Sequence, residues 1–127
     1  MIKGVEHIAI CARDTKALTD WYVKMFGFEI CYDNGKGTYF VKAGDGAMFE
    51  IIACTGDKIE EDITAVGLRH IALSVGKEDF DIEVKKIKDA GLPIVTDVKE
   101  SAKGIKTFFF KDPEGNVIHF IYRPVAL

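Results

Sequence analysis

Two stretches of the chain share one strand-like alternation of apolar and polar positions. Val5-Glu6-His7-Ile8-Ala9-Ile10 matches Leu68-Arg69-His70-Ile71-Ala72-Leu73 at an offset of 63, with a histidine at the same place in both. A helical period follows each strand. Leu18, Tyr22 and Met25 recur at i, i+4 and i+7 within Asp14 to Phe26, and Phe80, Val84 and Ile87 do so within Glu78 to Ala90. Gly27 and Gly91 stand where a helix end wants a left-handed residue. Each helix therefore has one apolar stripe, which needs a sheet to cover it.

The later part of each unit repeats as well. Gly46-Ala47-Met48-Phe49-Glu50-Ile51-Ile52 aligns with Gly115-Asn116-Val117-Ile118-His119-Phe120-Ile121 at an offset of 69. Further strands are expected over Phe28–Asp33 and Thr38–Lys42 in the first unit, and over Ile94–Val98 and Ile105–Phe110 in the second. Asn34-Gly35 and Asp45-Gly46 mark tight turns. The difference between the two offsets belongs in loops around Ser101 to Gly104. Each unit thus reads strand, helix, strand, strand, strand. Module one spans about 4–54 and module two about 67–123. The Asp- and Glu-rich stretch 55–66 is expected to be a solvated linker.

Composition narrows the class without naming it. The 127 residues are 48% hydrophobic and 29% charged, which excludes a disordered chain and allows a core that needs no disulfide or structural metal. A net charge of −3 leaves no basic surplus for a general nucleic-acid binder. No apolar run approaches the ~18 residues of a membrane span, and the first residues lack a signal-peptide layout. Cys11, Cys31 and Cys54 are odd in number and form no CxxC pair. They are expected to be small, reduced core residues of a cytoplasmic protein.

A repeat must carry its core pattern twice, but not its polar residues. Here His7 and His70 occupy one matched strand position, and Glu50 and His119 another. Taken singly, each is explained by a satisfied core histidine or a solvent-facing strand residue. Together they use every histidine in the chain and add one carboxylate. Imidazoles with a carboxylate make a ligand set for a divalent transition metal, and an ion would compensate a buried Glu50.

The chain resembles the vicinal oxygen chelate superfamily, which includes glyoxalase I, extradiol dioxygenases, and fosfomycin- and bleomycin-resistance proteins. The resemblance runs from about Val5 to Arg123. It is carried by Glu6-His7-Ile8-Ala9-Ile10, Trp21-Tyr22 with Phe26-Gly27-Phe28, Leu68-Arg69-His70-Ile71-Ala72, and Lys111-Asp112-Pro113-Glu114-Gly115-Asn116 before the last strand. It implies an α+β fold, a single domain of residues 1–127. Two paired βαβββ modules form an open, incomplete β-barrel with helices outside. It also implies His7, Glu50, His70 and His119 as ligands of one divalent metal (Ni, Zn, Co, Mn or Fe), and commonly a homodimer. The closest pattern is glyoxalase I of the His-Glu-His-Glu type, with His119 replacing the last glutamate.

Several chemistries follow from that site. A metal with open positions can chelate adjacent substrate oxygens and stabilise an enediolate while a base moves a proton. His119 and Glu50 are the candidate catalytic residues, His119 as ligand, base or both. The leading expectation is a glyoxalase I-like lyase or isomerase acting on a small α-oxo or α-hydroxy compound. One alternative is an iron-dependent extradiol-type dioxygenase. Another is a ligand-binding protein of the bleomycin-resistance type, without catalysis. Alternation puts Met48 and Ile52 on the face of Glu50, and Val117, Ile121 and Arg123 on that of His119. Arg123 could meet a substrate carboxylate, although a chain-end arginine is ordinarily solvated. One of Phe108, Phe109 and Phe110 could wall the pocket, while Trp21 and Tyr22 are expected to pack between helix and sheet.

Overall fold

The computed structural model describes residues 1–57 and 64–127. Its elements run β1 (His7–Ala12), α1 (Thr15–Phe26), β2 (Glu29–Asp33), β3 (Tyr39–Lys42) and β4 (Met48–Ala53), then β5 (Ile71–Ser74), α2 (Phe80–Asp89), β6 (Ile94–Glu100), β7 (Lys106–Lys111) and β8 (Val117–Tyr122). The chain divides into two units, 1–59 and 60–127, each with one βαβββ set. The expected linker, 55–66, falls largely on residues 58–63, outside the described residues.

The first sheet has the order β1-β4-β3-β2 and the second β5-β8-β7-β6. In each, the first strand lies parallel to the last and the other pairs are antiparallel. The fold class is therefore the expected α+β arrangement of paired βαβββ units.

Local chemistry sets the helix ends. The Asp14 side chain accepts a hydrogen bond from the Ala17 N–H at 2.9 Å, which caps α1. Gly27, at φ 67°, closes it and donates its N–H to the Val23 carbonyl. The second helix begins at Phe80, later than the sequence pattern suggests. The Gly76 carbonyl takes the N–H groups of Asp79 and Phe80 in a turn, and the Asp79 side chain makes no cap.

Each helix covers one face of its own sheet. Leu18 and Tyr22 of α1 are buried with Ile10, Val41, Phe49 and Ile51. Tyr22 stacks on Phe28 and meets Phe49 edge-on, so it packs as expected. In the second unit Phe80, Val84 and Ile87 are buried with Phe108, Phe110, Ile118 and Phe120. Apolar burial of this kind is the main favourable term, roughly 1.5–3 kcal/mol for each large side chain. The added length of the second unit lies in the β6–β7 hairpin. β6 extends to Glu100, and a turn closes through the Gly104 N–H to the Ser101 carbonyl.

The cysteine expectation needs correction. Cys11 and Cys54 are joined in a disulfide, with Cα atoms 5.3 Å apart, and Cys31 is free and exposed. The parallel pairing of β1 with β4 is the cause. It sets Cys11 opposite Ile52, and the Cys54 N–H bonds the Ala12 carbonyl just beyond.

Candidate functional site

The same parallel pairing builds a pair of polar residues in each unit. In the first sheet His7 lies opposite Met48 and Ala9 opposite Glu50. His7 and Glu50 therefore share the face turned away from the buried Phe49 and Ile51, one diagonal step apart. Phe40 of β3 is opposite Glu50, and its ring meets His7 edge-on at 5.2 Å. The Glu6 carboxylate contacts Nδ1 of His7. That hydrogen bond, helped by the charges of Glu6 and Glu50 and opposed by burial, raises the His7 pKa above the usual 6.5. A carboxylate on Nδ1 fixes the ring and leaves Nε2 as the free coordinating atom.

The second unit repeats this geometry with different charges. Ala72 lies opposite His119, and His70 stands just before β5. The rings of His70 and His119 are 5.1 Å apart and nearly perpendicular. Phe109 of β7, opposite His119, stacks on it at 3.9 Å and meets His70 edge-on at 5.3 Å. Thus Phe109 is the member of the phenylalanine triplet on the site face, while Phe108 and Phe110 are wholly buried in the core.

His119 is only 7% exposed, yet neither of its ring nitrogens has a hydrogen-bond partner. Nδ1 of His70 is also buried and unpartnered. Burial, then the charges of His70, Arg123 and Arg69, push the His119 pKa down to about 4. Burial, then Arg69, lowers that of His70. Both imidazoles are consequently neutral at pH 7, the form that ligates a metal. Buried polar nitrogens without partners are costly, and a bound metal ion would satisfy them.

The structure thus brings the four candidates together as two pairs, His7 with Glu50 and His70 with His119. Among the described residues, no group of three His, Cys, Asp or Glu side chains is placed to hold an ion. Arg123 is exposed, and with Ser74 and Ile121 it lines an open groove of about 450 Å³. Sequence reasoning missed Glu6 and Phe40 as neighbours of the site. Thr38-Tyr39-Phe40-Val41-Lys42 and Thr107-Phe108-Phe109-Phe110-Lys111 align at the same offset of 69 as Glu50 and His119, so a signal for the aromatic pair was present.

Residues 4–120 match the model of the glyoxalase/bleomycin resistance protein/dioxygenase superfamily, and the chain belongs to that family. An uncharacterised protein of Bacillus subtilis, YwkD, is 29% identical over 123 residues, covering 90% of this chain and 92% of its own. The metallothiol transferase FosB of Bacillus licheniformis is 26% identical over 116 residues, 91% of this chain and 72% of its own. Among solved structures, the fosfomycin resistance protein FosX of Listeria monocytogenes matches with a TM-score of 0.79 and 21% identity, covering 98% of this chain and 97% of that one. A glutamate-to-glutamine mutant of that FosX has been solved with Mn(II) and 1S,2S-dihydroxypropylphosphonic acid, at a TM-score of 0.76 and 22% identity, covering 94% of this chain and 90% of that one. At that identity the structures establish the shared fold.

Proposed function

We propose that this chain is a divalent-metal-dependent enzyme acting on a small molecule with two adjacent oxygens. One observation carries the reading: His119 is buried with both ring nitrogens unpartnered, beside His70 with a buried unpartnered Nδ1. In this reading His70 and His119 ligate the metal, and His7 and Glu50 are the further ligand candidates. The named relatives lend support, one being a metallothiol transferase and another a fosfomycin-resistance protein. A Mn(II) complex of FosX adds the class of ion.

When bound, a divalent ion supplies Lewis acidity toward the substrate oxygens. His119 contributes a neutral imidazole, since its low pKa makes it a lone-pair donor rather than an acid at pH 7. In this reading His119 serves as a ligand, and Glu50, half-buried on the face of His7, is the candidate to take up and return a proton. Phe40 meets His7 edge-on and Phe109 meets His70 edge-on, so an aromatic ring walls each histidine pair. The finer reading is a glyoxalase I-like lyase or isomerase in a cytoplasmic homodimer. No helix of the described residues is long and apolar enough to cross a membrane. The Cys11–Cys54 disulfide removes the reduced-thiol argument for the cytoplasm, so location rests on the family alone.

Elemental analysis of protein purified without added metal tests the class. A first-row metal that is lost in His119→Ala and His70→Ala supports the reading, and a metal-free protein that no divalent ion stabilises overturns it. Turnover of a methylglyoxal–thiol hemithioacetal marks the lyase. Loss of fosfomycin in the presence of a thiol favours the chemistry of the relatives instead.

A further inference from the structure

The disulfide and the histidine–carboxylate pair of the first unit are built alike. Cys11 and Cys54 are 43 residues apart, and so are His7 and Glu50. In the β1–β4 register His7 lies opposite Met48, two residues before Glu50, and Cys11 lies opposite Ile52, two residues before Cys54. The Cys54 N–H extends the ladder by bonding the Ala12 carbonyl at 3.0 Å. Alternation therefore puts all four side chains on one face, away from the buried Ile10, Phe49 and Ile51. The crosslink sits four residues, about 13 Å, along the same two strands from His7 and Glu50.

His7 needs such support. It is the first residue of β1, which in its sheet pairs only with β4. The six residues before it are exposed and outside any strand. Its place beside Glu50 thus depends on the β1–β4 register, and a slip of one residue would put the two side chains on opposite faces. The fold itself does not require a crosslink here. In the second unit the matching positions, at offsets of 63 and 69, hold Ser74 and Arg123, and β5 still pairs in parallel with β8. The crosslink is also open to thiols in solution, since Cys11 is exposed and Cys54 half-buried. Exposed disulfides are the labile ones, whose state follows the thiols around them.

We propose that the Cys11–Cys54 disulfide is a thiol-reducible clamp that positions His7 beside Glu50, and that its reduction weakens the hold of this pair on a divalent ion. The proposal rests on the reading of His7 and Glu50 as ligand candidates, and it adds control by the redox state of the surroundings. Both cysteines are positioning residues, acting through His7 and Glu50. The reductant is a dithiol. One of its thiolates attacks Sγ of Cys11, which breaks the S–S bond, forms a mixed disulfide and releases Cys54 as a thiolate that takes up a proton. The second thiol of the reductant then attacks its partner sulfur in the mixed disulfide and frees Cys11 as a thiol. Two electrons and two protons pass to the cysteines, and the dithiol becomes a cyclic disulfide.

The test compares the full metal-free chain in its oxidised state with the same chain reduced by dithiothreitol and freed of the reagent without air. Mn(II) is the probe, because it favours oxygen ligands over thiols. Reduction should weaken Mn(II) binding by about tenfold or more, as when the support of a metal ligand is lost. Amide hydrogen exchange in β1 and β4 should quicken by about tenfold or more, while that in β5 and β8 stays unchanged. Reoxidation should restore both. Cys11→Ala/Cys54→Ala should resemble the reduced protein and ignore the dithiol. Equal Mn(II) affinity in the two redox states overturns the proposal. So does exchange that quickens alike in both units, the mark of a staple for the whole fold. A redox response that persists in Cys11→Ala/Cys54→Ala assigns the effect to Cys31 and overturns it as well. Absence of Mn(II) binding in both states sinks the metalloenzyme reading, and the clamp then stands or falls on the exchange of β1 and β4.

Discussion

Phe109 lies flat against His119, with ring centres 3.9 Å apart and planes within 10° of parallel. The β7–β8 register sets these residues directly opposite each other. The stack covers one side of the imidazole and is part of what keeps water from nitrogens that have no partner in the protein. An aromatic pair of this kind adds about 0.5–1.5 kcal/mol beyond its buried area.

Replacing Phe109 with alanine should therefore do two things. Stability should fall by about 2–3 kcal/mol, less than for a fully buried phenylalanine because Phe109 is half-exposed. The His119 pKa should rise from about 4 toward the ordinary 6.5 as water reaches the ring. Denaturant titration reads the first and histidine NMR the second. An unmoved pKa would show that Phe109 does not shield His119.

The metal-free protein should lose stability in mild acid. The folded His119 pKa of about 4 lies below the ordinary 6.5, so the unfolded chain takes up the proton first as pH falls. The contribution of His119 is complete above about pH 6.5 and is lost on the way to about pH 4, at most about 1.4 kcal/mol per pH unit. His7 has the opposite sign. Its raised pKa gives a contribution present below the unfolded value and lost as pH rises through the folded one. Denaturant midpoints measured across this range should show the acid slope, and His119→Phe should flatten it. An equal slope in that variant would assign the effect to other groups.

Asp112 should matter more than Asp45, the aspartate of the corresponding turn in the first unit. Asp112 is 1% exposed, and its Oδ1 accepts the backbone N–H groups of Glu114 and Asn116, each at 2.9 Å. The turn it holds delivers β8 and hence His119. Asp45, exposed, accepts only the Ala47 N–H in the matching turn. Asp112→Ala should cost about 2–4 kcal/mol and Asp45→Ala about 1, because the first removes a buried carboxylate that several part-buried donors share. Thermal or denaturant unfolding compares them, and equal losses would count against this account of the turn.

Unreduced protein should titrate with one free thiol, that of Cys31, under denaturing conditions. Cys11→Ser should release Cys54 and cost up to about 4 kcal/mol, the loop-closure value for the 43-residue separation. Three reactive thiols in unreduced protein would contradict the disulfide.

Thr19 tests the core from the other direction. It is fully buried on α1, and its hydroxyl has no hydrogen-bond partner. Thr19→Val keeps the shape and removes the orphaned group, so stability should rise by about 1 kcal/mol. A loss of similar size would show that the hydroxyl is satisfied in solution.

The sequence by itself determined the two units and their order. Alternation at His7–Ile10 and His70–Leu73, the stripes of Leu18-Tyr22 and Phe80-Val84-Ile87, and the glycines after each helix are local signals, because side-chain direction and backbone freedom depend on neighbouring residues. The matched places of His7, Glu50, His70 and His119 were legible for the same reason. Which side chains meet was decided only by the tertiary structure. The parallel pairings of β1 with β4 and β5 with β8 join strands far apart in sequence, and their register is fixed by the packing of buried faces. That register set Glu50 beside His7, closed Cys11 onto Cys54 against the sequence expectation, and buried His119 under Phe109. It also set the Arg69 guanidinium 5.8 Å from the centre of the Phe109 ring, a contact that no local pattern encodes.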